Sequence, residues 1–486
     1  MMRSTGIQSV CAIFLSCLAM TAGVTAQTFT KLLDFNGSNG ADPYYGSLVQ
    51  GTDGNSYGVT FQGGVSANCQ ALGVNQGCGT IFKMTPGGTL TTIYDFCQQS
   101  GCTDGYIPTG ITLSSNGNFY GTTYAGGTYG QGTVFRVTPR GILTSLYSFC
   151  VQANCADGRI PLGGIIQASD GNWYGTTFGG GNPGCGYGCG TVFRVTPAGQ
   201  LTTLYTFPSS GNPAAPLIQG RDGNLYGTAT GNSGNSGSST IFRITLSGTF
   251  TTVYQFDQPA DIYYGLVQGS DGNFYGTTAI GGSNSASNCS LGCGTVFKLT
   301  PGGTLNTLYN FCSQANCTDG ATPGAPLIQS SNGKFYGTTS FGGSLQAGTI
   351  FSISSTGALT TLHSFDVTDG AVPYGGLVQN TNGVIYGMTS SGGSTDDGVA
   401  FSLNGGLHPF ASFVRNTGKV GSTVQILGQG FTGTTAVSFN GTPATYSIKS
   451  DTFLTATVPS GATTGLVIVT VPGGTLTSNR PFRVSP

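Results

Sequence analysis

The chain contains no glutamate. All seventeen of its acids are aspartates, and charged residues make up only 7% of its 486 positions. Lys and Arg total sixteen, are scattered singly, and leave a net charge of −1. A nucleic-acid binder needs a basic face to displace counterions from phosphates, so that class is excluded, and no polybasic membrane patch is present either. Only two histidines occur, His363 and His408, and one tryptophan, Trp173. Histidine-dependent nucleophilic catalysis and zinc binding therefore have little to work with. Long apolar runs are missing too: the single one, about Val10 to Met20, is too short for a comfortable membrane span. With Arg3 before it and Val24-Thr25-Ala26 after it, that run has the order of a secretory leader, residues 1–26, cleaved after Ala26. Phe14-Leu15-Ser16-Cys17 is a poor lipid-attachment signal beside it.

Glycine is abundant, at 84 residues, together with Thr, Ser and Asn. Turn formers outnumber helix formers, and the chain reads as all-β. Regularly placed Tyr, Phe, Leu and Val separate it from a disordered glycine-rich sequence, because they provide apolar surface for a core.

The organising unit is Ser270-Asp271-Gly272-Asn273-Phe274-Tyr275-Gly276-Thr277-Thr278, followed by Gly294-Thr295-Val296-Phe297-Lys298-Leu299-Thr300-Pro301. Its Tyr-Gly pair recurs seven times, at Tyr57, Tyr120, Tyr174, Tyr226, Tyr275, Tyr336 and Tyr386. Such spacing marks a propeller or another repeat array. Each copy reads as four short strands. In the fifth these are residues 265–268, 274–278, 296–300 and 305–311, joined by Asp-Gly, Gly-Gly and Pro-Gly turns that supply the positive φ of tight hairpins. Phe29-Thr30-Lys31-Leu32-Leu33-Asp34-Phe35 matches the fourth strand of the other units, whereas the seventh unit has only three strands. The N-terminal strand is therefore expected to complete the last blade and close a seven-bladed β-propeller over residues 27–406, removing open edges. A β-solenoid is the weaker alternative. From 407 to 486 the pattern changes to short alternating strands, and a small immunoglobulin-like β-sandwich is expected there.

Of fourteen cysteines, Cys11 and Cys17 fall in the leader. The other twelve form six close pairs: Cys69/Cys78, Cys97/Cys102, Cys150/Cys155, Cys185/Cys189, Cys289/Cys293 and Cys312/Cys317. An even number in a secreted chain reads as disulfides, and local pairing is the simplest pattern. Zinc sites prefer two-residue spacers, which these pairs lack. All six lie in connections between strands two and three or between blades, so one face of the disc carries long stapled loops and becomes the candidate functional surface.

On that face Asp104, Asp157, Asp319 and Asp369 stand in Asp-Gly turns, with Asp42 and Asp261 in corresponding loops. A circle of carboxylates fits Ca²⁺ or sugar hydroxyls; local turn capping fits equally. Asp396-Asp397 is a weaker Ca²⁺ candidate, and no other cofactor is indicated. The repeated Tyr and Phe read as core rather than sugar platforms, and Gln50, Gln167, Gln219, Gln268, Gln329 and Gln379 as bridges on the inner strands. His363 replaces the Tyr of Tyr147 and Tyr205, so packing is its expected role.

The repeat, Asp-Gly-Asn-x-Tyr-Gly-Thr-Thr through Gly-Thr-Val-Phe-x-x-Thr-Pro, resembles the Gloeo/Verruco (GloVer) tandem repeat of bacterial extracellular proteins. Val424-Gln425-Ile426-Leu427-Gly428-Gln429-Gly430-Phe431 and the Phe439-Asn440-Gly441-Thr442-Pro443 hairpin resemble an IPT/TIG domain, an adhesion and spacer module. Neither resemblance implies catalytic residues. The leading expectation is a secreted or cell-surface binding or adhesion scaffold that recognises an extracellular glycan or protein through the stapled face, with the periplasm as another location. One alternative is a carbohydrate-active hydrolase or lyase, disfavoured by the absence of Glu where glycoside hydrolysis needs two carboxylates. The other is a structural surface or matrix protein.

Overall fold

The computed structural model describes residues 27–71, 76–185, 188–208, 211–231, 239–257, 260–286 and 289–485. The expected leader lies outside the described residues. Strand formation follows the repeat: the Asp-Gly or Asn-Gly turn starts each hairpin, and Tyr-Gly-Thr-Thr continues into a fully buried strand such as Phe274–Thr278. That strand pairs with Thr295–Leu299, which pairs with Leu305–Asn310. Among the described residues this pattern gives seven antiparallel sheets of four strands, one of them with an additional short strand, Ala321–Pro323. The inner strand is shorter than the sequence suggests: in the fifth unit only Val267–Gln268 pairs, rather than residues 265–268.

Closure is direct. Thr28–Asp34 pairs antiparallel with Val399–Asn404, from Thr28 opposite Asn404 to Asp34 opposite Val399. The first strand of the chain thus becomes the outer strand of the last sheet. Phe29 stacks on His363 at 3.7 Å and sits 5.5 Å from Phe401. A second belt closes the ring near its axis. Gln50 of the first blade donates to Thr381 of the seventh and accepts from its backbone N–H. Gln219, Gln268, Gln329 and Gln379 accept in the same way from the backbone N–H of Ser169, Arg221, Ser270 and Ser331 in the preceding blade, and Gln167 accepts from the Ser114 hydroxyl. The first-to-second joint lacks such a link because Leu113 stands in the Gln position.

Between blades the repeated aromatics pack on one another, Tyr120 on Trp173 and Tyr275 on Phe335 stacked, Tyr57 on Phe119 and Tyr226 on Phe274 tilted, with centroids 3.9–4.4 Å apart. Each tyrosine is also pinned at its hydroxyl. Tyr57, Tyr174, Tyr226 and Tyr275 donate to Asp53, Asp170, Asp222 and Asp271 at 2.7–2.9 Å. In the other three blades Asn116, Asn332 and Asn382 donate to the tyrosine hydroxyl instead, at 2.9–3.0 Å. A phenol both donates and accepts, so Asp and Asn serve this turn interchangeably.

Beyond Ser412 two four-stranded sheets face each other, enclosing Val424, Ile426, Phe431, Val437, Phe439, Leu454, Val467, Val469 and Phe482. Thr417–Lys419 and Arg483–Ser485 form a short parallel pair at one edge. This sandwich rests on the turns between the first and second strands of the blades. Thr452 donates to Thr52, Arg415 to Ser169 and Arg483 to Arg221, while Thr381 donates to Gly428. Those partners belong to the first, third, fourth and seventh blades, so the sandwich lies across one end of the ring.

Candidate functional site

The opposite end carries the between-blade connections and the six disulfides, which pair as Cys69–Cys78, Cys97–Cys102, Cys150–Cys155, Cys185–Cys189, Cys289–Cys293 and Cys312–Cys317. Three five-residue closures each wrap around an aspartate. Asp104 accepts from the Tyr94 hydroxyl at 2.7 Å and from the backbone N–H of Gln98 and Gln99. Asp157 repeats this with Tyr147, Val151 and Gln152, and Asp319 with Tyr309, Ser313 and Gln314. All three aspartates are 0% exposed. A carboxylate closed off from solvent and occupied by several donors has nothing to offer a sugar hydroxyl or a calcium ion, so the geometry fits turn pinning and corrects the ligand-binding assignment. The same contacts, after burial itself, push the hydroxyl of Tyr94 far above its usual range and that of Tyr309 up to about 12.

On the strand Leu359–Ser364, which leads into the loop before the last blade, His363 takes the tyrosine's place. Its Nε2 lies 2.8 Å from Asp369, which also accepts from the Asp366 backbone. Asp369 is thus occupied in the same manner but remains partly exposed. Asp396 accepts from the Gly392 N–H, and Asp397 lies beside it on the chain. Among the described residues, groups of three or more metal-ligating side chains occur only as Cys78 with Cys97 and Cys102, and as Cys293 with Cys312 and Cys317. All six of these are disulfide-bonded, and Asp396 and Asp397 belong to neither group.

What the structure brings together at this end is a set of tyrosines. Tyr44, Tyr45, Tyr124, Tyr263, Tyr264 and Tyr374 line a cavity of about 840 Å³ at the mouth of the central channel, with Phe178, Ile111, Leu162, Pro216 and Pro326. Among the described residues no charged side chain is in its wall. Tyr44 packs against Tyr374 at 4.4 Å and Tyr45 at 4.5 Å, and Tyr45 stands 5.7 Å from Phe61. Tyr45 and Tyr263 each keep 37% of their surface exposed. Burial, reinforced by the neighbouring tyrosines, drives the Tyr264 hydroxyl well above its usual range. Burial and then Tyr124 and Asp42 push Tyr45 up to about 12. The hydroxyls therefore stay protonated as donors at any physiological pH. Asp42 sits behind Tyr44 and Tyr45, and burial lifts its carboxyl up to about 6; Asp261, behind Tyr263, is raised for the same reason.

None of these tyrosines belongs to the repeated Tyr-Gly set. Tyr124 lies near the end of the strand Phe119–Ala125, and the signal of the other five was positional. Asp42-Pro43-Tyr44-Tyr45-Gly46, Asp261-Ile262-Tyr263-Tyr264-Gly265 and Val372-Pro373-Tyr374-Gly375 fill a place that other units fill with Pro108-Thr109-Gly110 or Pro323-Gly324-Ala325. The repeat varies where its loops reach the axis.

A disulfide-stapled seven-sheet ring, open at a tyrosine-lined mouth and covered at its other end by a small sandwich, defines an all-β propeller protein with an appended domain. The chain belongs to the Gloeobacter/Verrucomicrobia repeat family, whose model matches residues 68–286 and 258–446, and its C-terminal part matches the IPT/TIG domain over residues 410–484. No curated protein matches the chain in sequence. Solved structures similar to it include oligogalacturonate lyase from Vibrio parahaemolyticus, at TM-score 0.46 and 10% identity over 78% of this chain and 97% of that one. A protein of unknown function from Dyadobacter fermentans gives 0.43 and 10%, over 78% and 99%. A luciferin-regenerating enzyme gives 0.41 and 10%, over 79% and 98%.

Proposed function

We propose that this is an extracellular binding protein that takes a neutral carbohydrate in the tyrosine-lined mouth, with the IPT/TIG domain serving as spacer or tether. The observation that carries the reading is the composition of that cavity: six tyrosines and, among the described residues, no charged side chain around about 840 Å³. Flat aromatic faces suit the C–H faces of a pyranose, and phenolic edges supply hydrogen bonds to its hydroxyls at low entropic cost. An enclosed apolar pocket with a few polar groups is also the usual form of a small-molecule site. Six disulfides support an oxidising, extracellular compartment. Among the described residues no helix is long and apolar enough to cross a membrane. The test is a glycan array probed with the wild-type chain and with Tyr45→Ala/Tyr263→Ala. Binding of neutral oligosaccharides that the double variant loses supports the proposal; a blank array, or hits indifferent to the substitutions, contradicts it.

One observation favours a second reading, a carbohydrate-active enzyme. Asp42, lifted to about 6 by burial, has the protonation range of a general acid. Neither it nor Asp261 lines the cavity, however. Turnover of a bound oligosaccharide that Asp42→Asn abolishes would establish this reading, and binding without turnover excludes it.

A further inference from the structure

A second cavity, of about 540 Å³, lies at the other end of the ring, between the inner strands of the fourth to sixth blades and the C-terminal sandwich. Its chemistry is the opposite of the mouth's. Arg221 of the propeller and Arg480 and Arg483 of the sandwich line it, and among the described residues no acidic side chain does. Among the described residues none of the three arginines is paired with a carboxylate.

Two of these arginines are otherwise occupied. Arg221 donates to the backbone carbonyls of Gly269 and Ser270, and Arg483 donates to that of Arg221. The Arg480 guanidinium has no hydrogen-bond partner among the described residues. Its side chain is exposed and forms part of the cavity wall. Arg415 makes the contrast: half-buried at this interface, it donates to Ser169 and has Asp170 close enough to favour its charge. A guanidinium fork with no acid beside it matches the two oxygens of an oxyanion. Gln268 and Asn479 add amides to the wall beside it.

We propose that this cavity is an anion site, taking a small carboxylate-, sulfate- or phosphate-bearing molecule whose charged group sits on Arg480 and whose polar body meets the surrounding amides. Such a ligand would touch both domains at once and hold the sandwich on the ring. The site is independent of the neutral-sugar site at the mouth.

The test follows thermal unfolding of the full chain while sodium sulfate, sodium phosphate or sodium glucuronate is added at constant ionic strength, with sodium chloride and glucose as references. A saturable rise with at least one oxyanion, absent with chloride and glucose, is expected. Glucuronate acting alone would identify a sugar acid as the source of the charge, and sulfate or phosphate acting as well would identify the oxyanion group itself. Arg480→Gln should weaken the midpoint of the response at least tenfold while leaving the unfolding temperature in anion-free buffer unchanged, because the side chain is exposed. Arg480→Lys should retain part of the response. Equal effects of chloride and the oxyanions, or a response undiminished in Arg480→Gln, would overturn the site. So would an Arg480→Gln variant that loses stability by the same amount with and without anion, since that is the behaviour of a purely structural arginine. Should Arg480→Gln fail to fold, the same titration on Arg480→Lys decides, an unchanged midpoint counting against the proposal.

Discussion

The two ends of the ring are built from the same repeat and are chemical opposites. At the capped end the repeat is nearly uniform, with an Asp or Asn in each inner turn pinning its own tyrosine, as Asp53 pins Tyr57. At the open end the repeat diverges: disulfides, blade-specific loops and unmatched tyrosines appear there. The difference teaches that the repetitive residues make the scaffold and the departures from repetition make the surfaces with which it meets other molecules.

The largest effect expected from breaking this division concerns closure. Deleting residues 27–34 leaves Val399–Asn404 as an open edge and removes the ring contacts of Phe29. The truncated chain should lose its cooperative unfolding transition and self-associate, as read by calorimetry and size-exclusion chromatography; a monomer with wild-type melting would show that the clasp is dispensable.

Next come the two kinds of aspartate. Asp104→Ala strands a buried tyrosine hydroxyl and two backbone N–H groups, an expected loss of about 3 kcal/mol in denaturant unfolding. Asp53→Ala at the exposed turn should cost only about 1 kcal/mol. Equal losses would erase the distinction between loop pin and turn pin. A smaller change in stability, but a clear one in binding, is expected for Tyr45→Ala. With 37% of its surface exposed, its loss should shift stability by no more than about 0.5–1 kcal/mol while weakening neutral-sugar affinity about tenfold. Unchanged affinity in a calorimetric titration would remove Tyr45 from the site.

The smallest effect is pH-dependent. The Asp42 carboxyl is raised by burial to about 6 in the folded chain, against about 3.9 in an unfolded one. The folded state then holds the proton more tightly, so stability falls as pH rises from about 4 to 6, and the penalty is fully present above that window. Asp42→Asn should therefore stabilise by about 1 kcal/mol at pH 7.5, after allowance for partial exposure, and by nothing at pH 4. A gain that does not vary with pH would mean that its cause is not the buried charge.

Much of this architecture was legible in the sequence, because repetition turns one local pattern into seven constraints. The spacing of the Tyr-Gly pairs, the orphan strand at Phe29 and the neighbouring cysteines led to four-stranded sheets, a closing strand and local disulfides. The Gln series read correctly as bridges, since a buried amide must be satisfied in the same way each time. The site was less legible. Asp104, Asp157 and Asp319 stood out by their recurrence, but recurrence marks scaffold, and burial made them pins. Tyr44, Tyr124, Tyr264 and Tyr374 are far apart in the chain and meet only because the inner ends of the blades converge. Arg221 and Arg480 likewise share a cavity only through the docking of one domain on another, which no local pattern encodes.

The most direct measurement is a pair of calorimetric titrations, a neutral oligosaccharide and an oxyanion, each against Tyr45→Ala/Tyr263→Ala and Arg480→Gln. Two chemically separate ends predict that the tyrosine variant loses only the sugar and the arginine variant only the anion. Loss of both ligands in either variant, or of neither in both, would contradict the account.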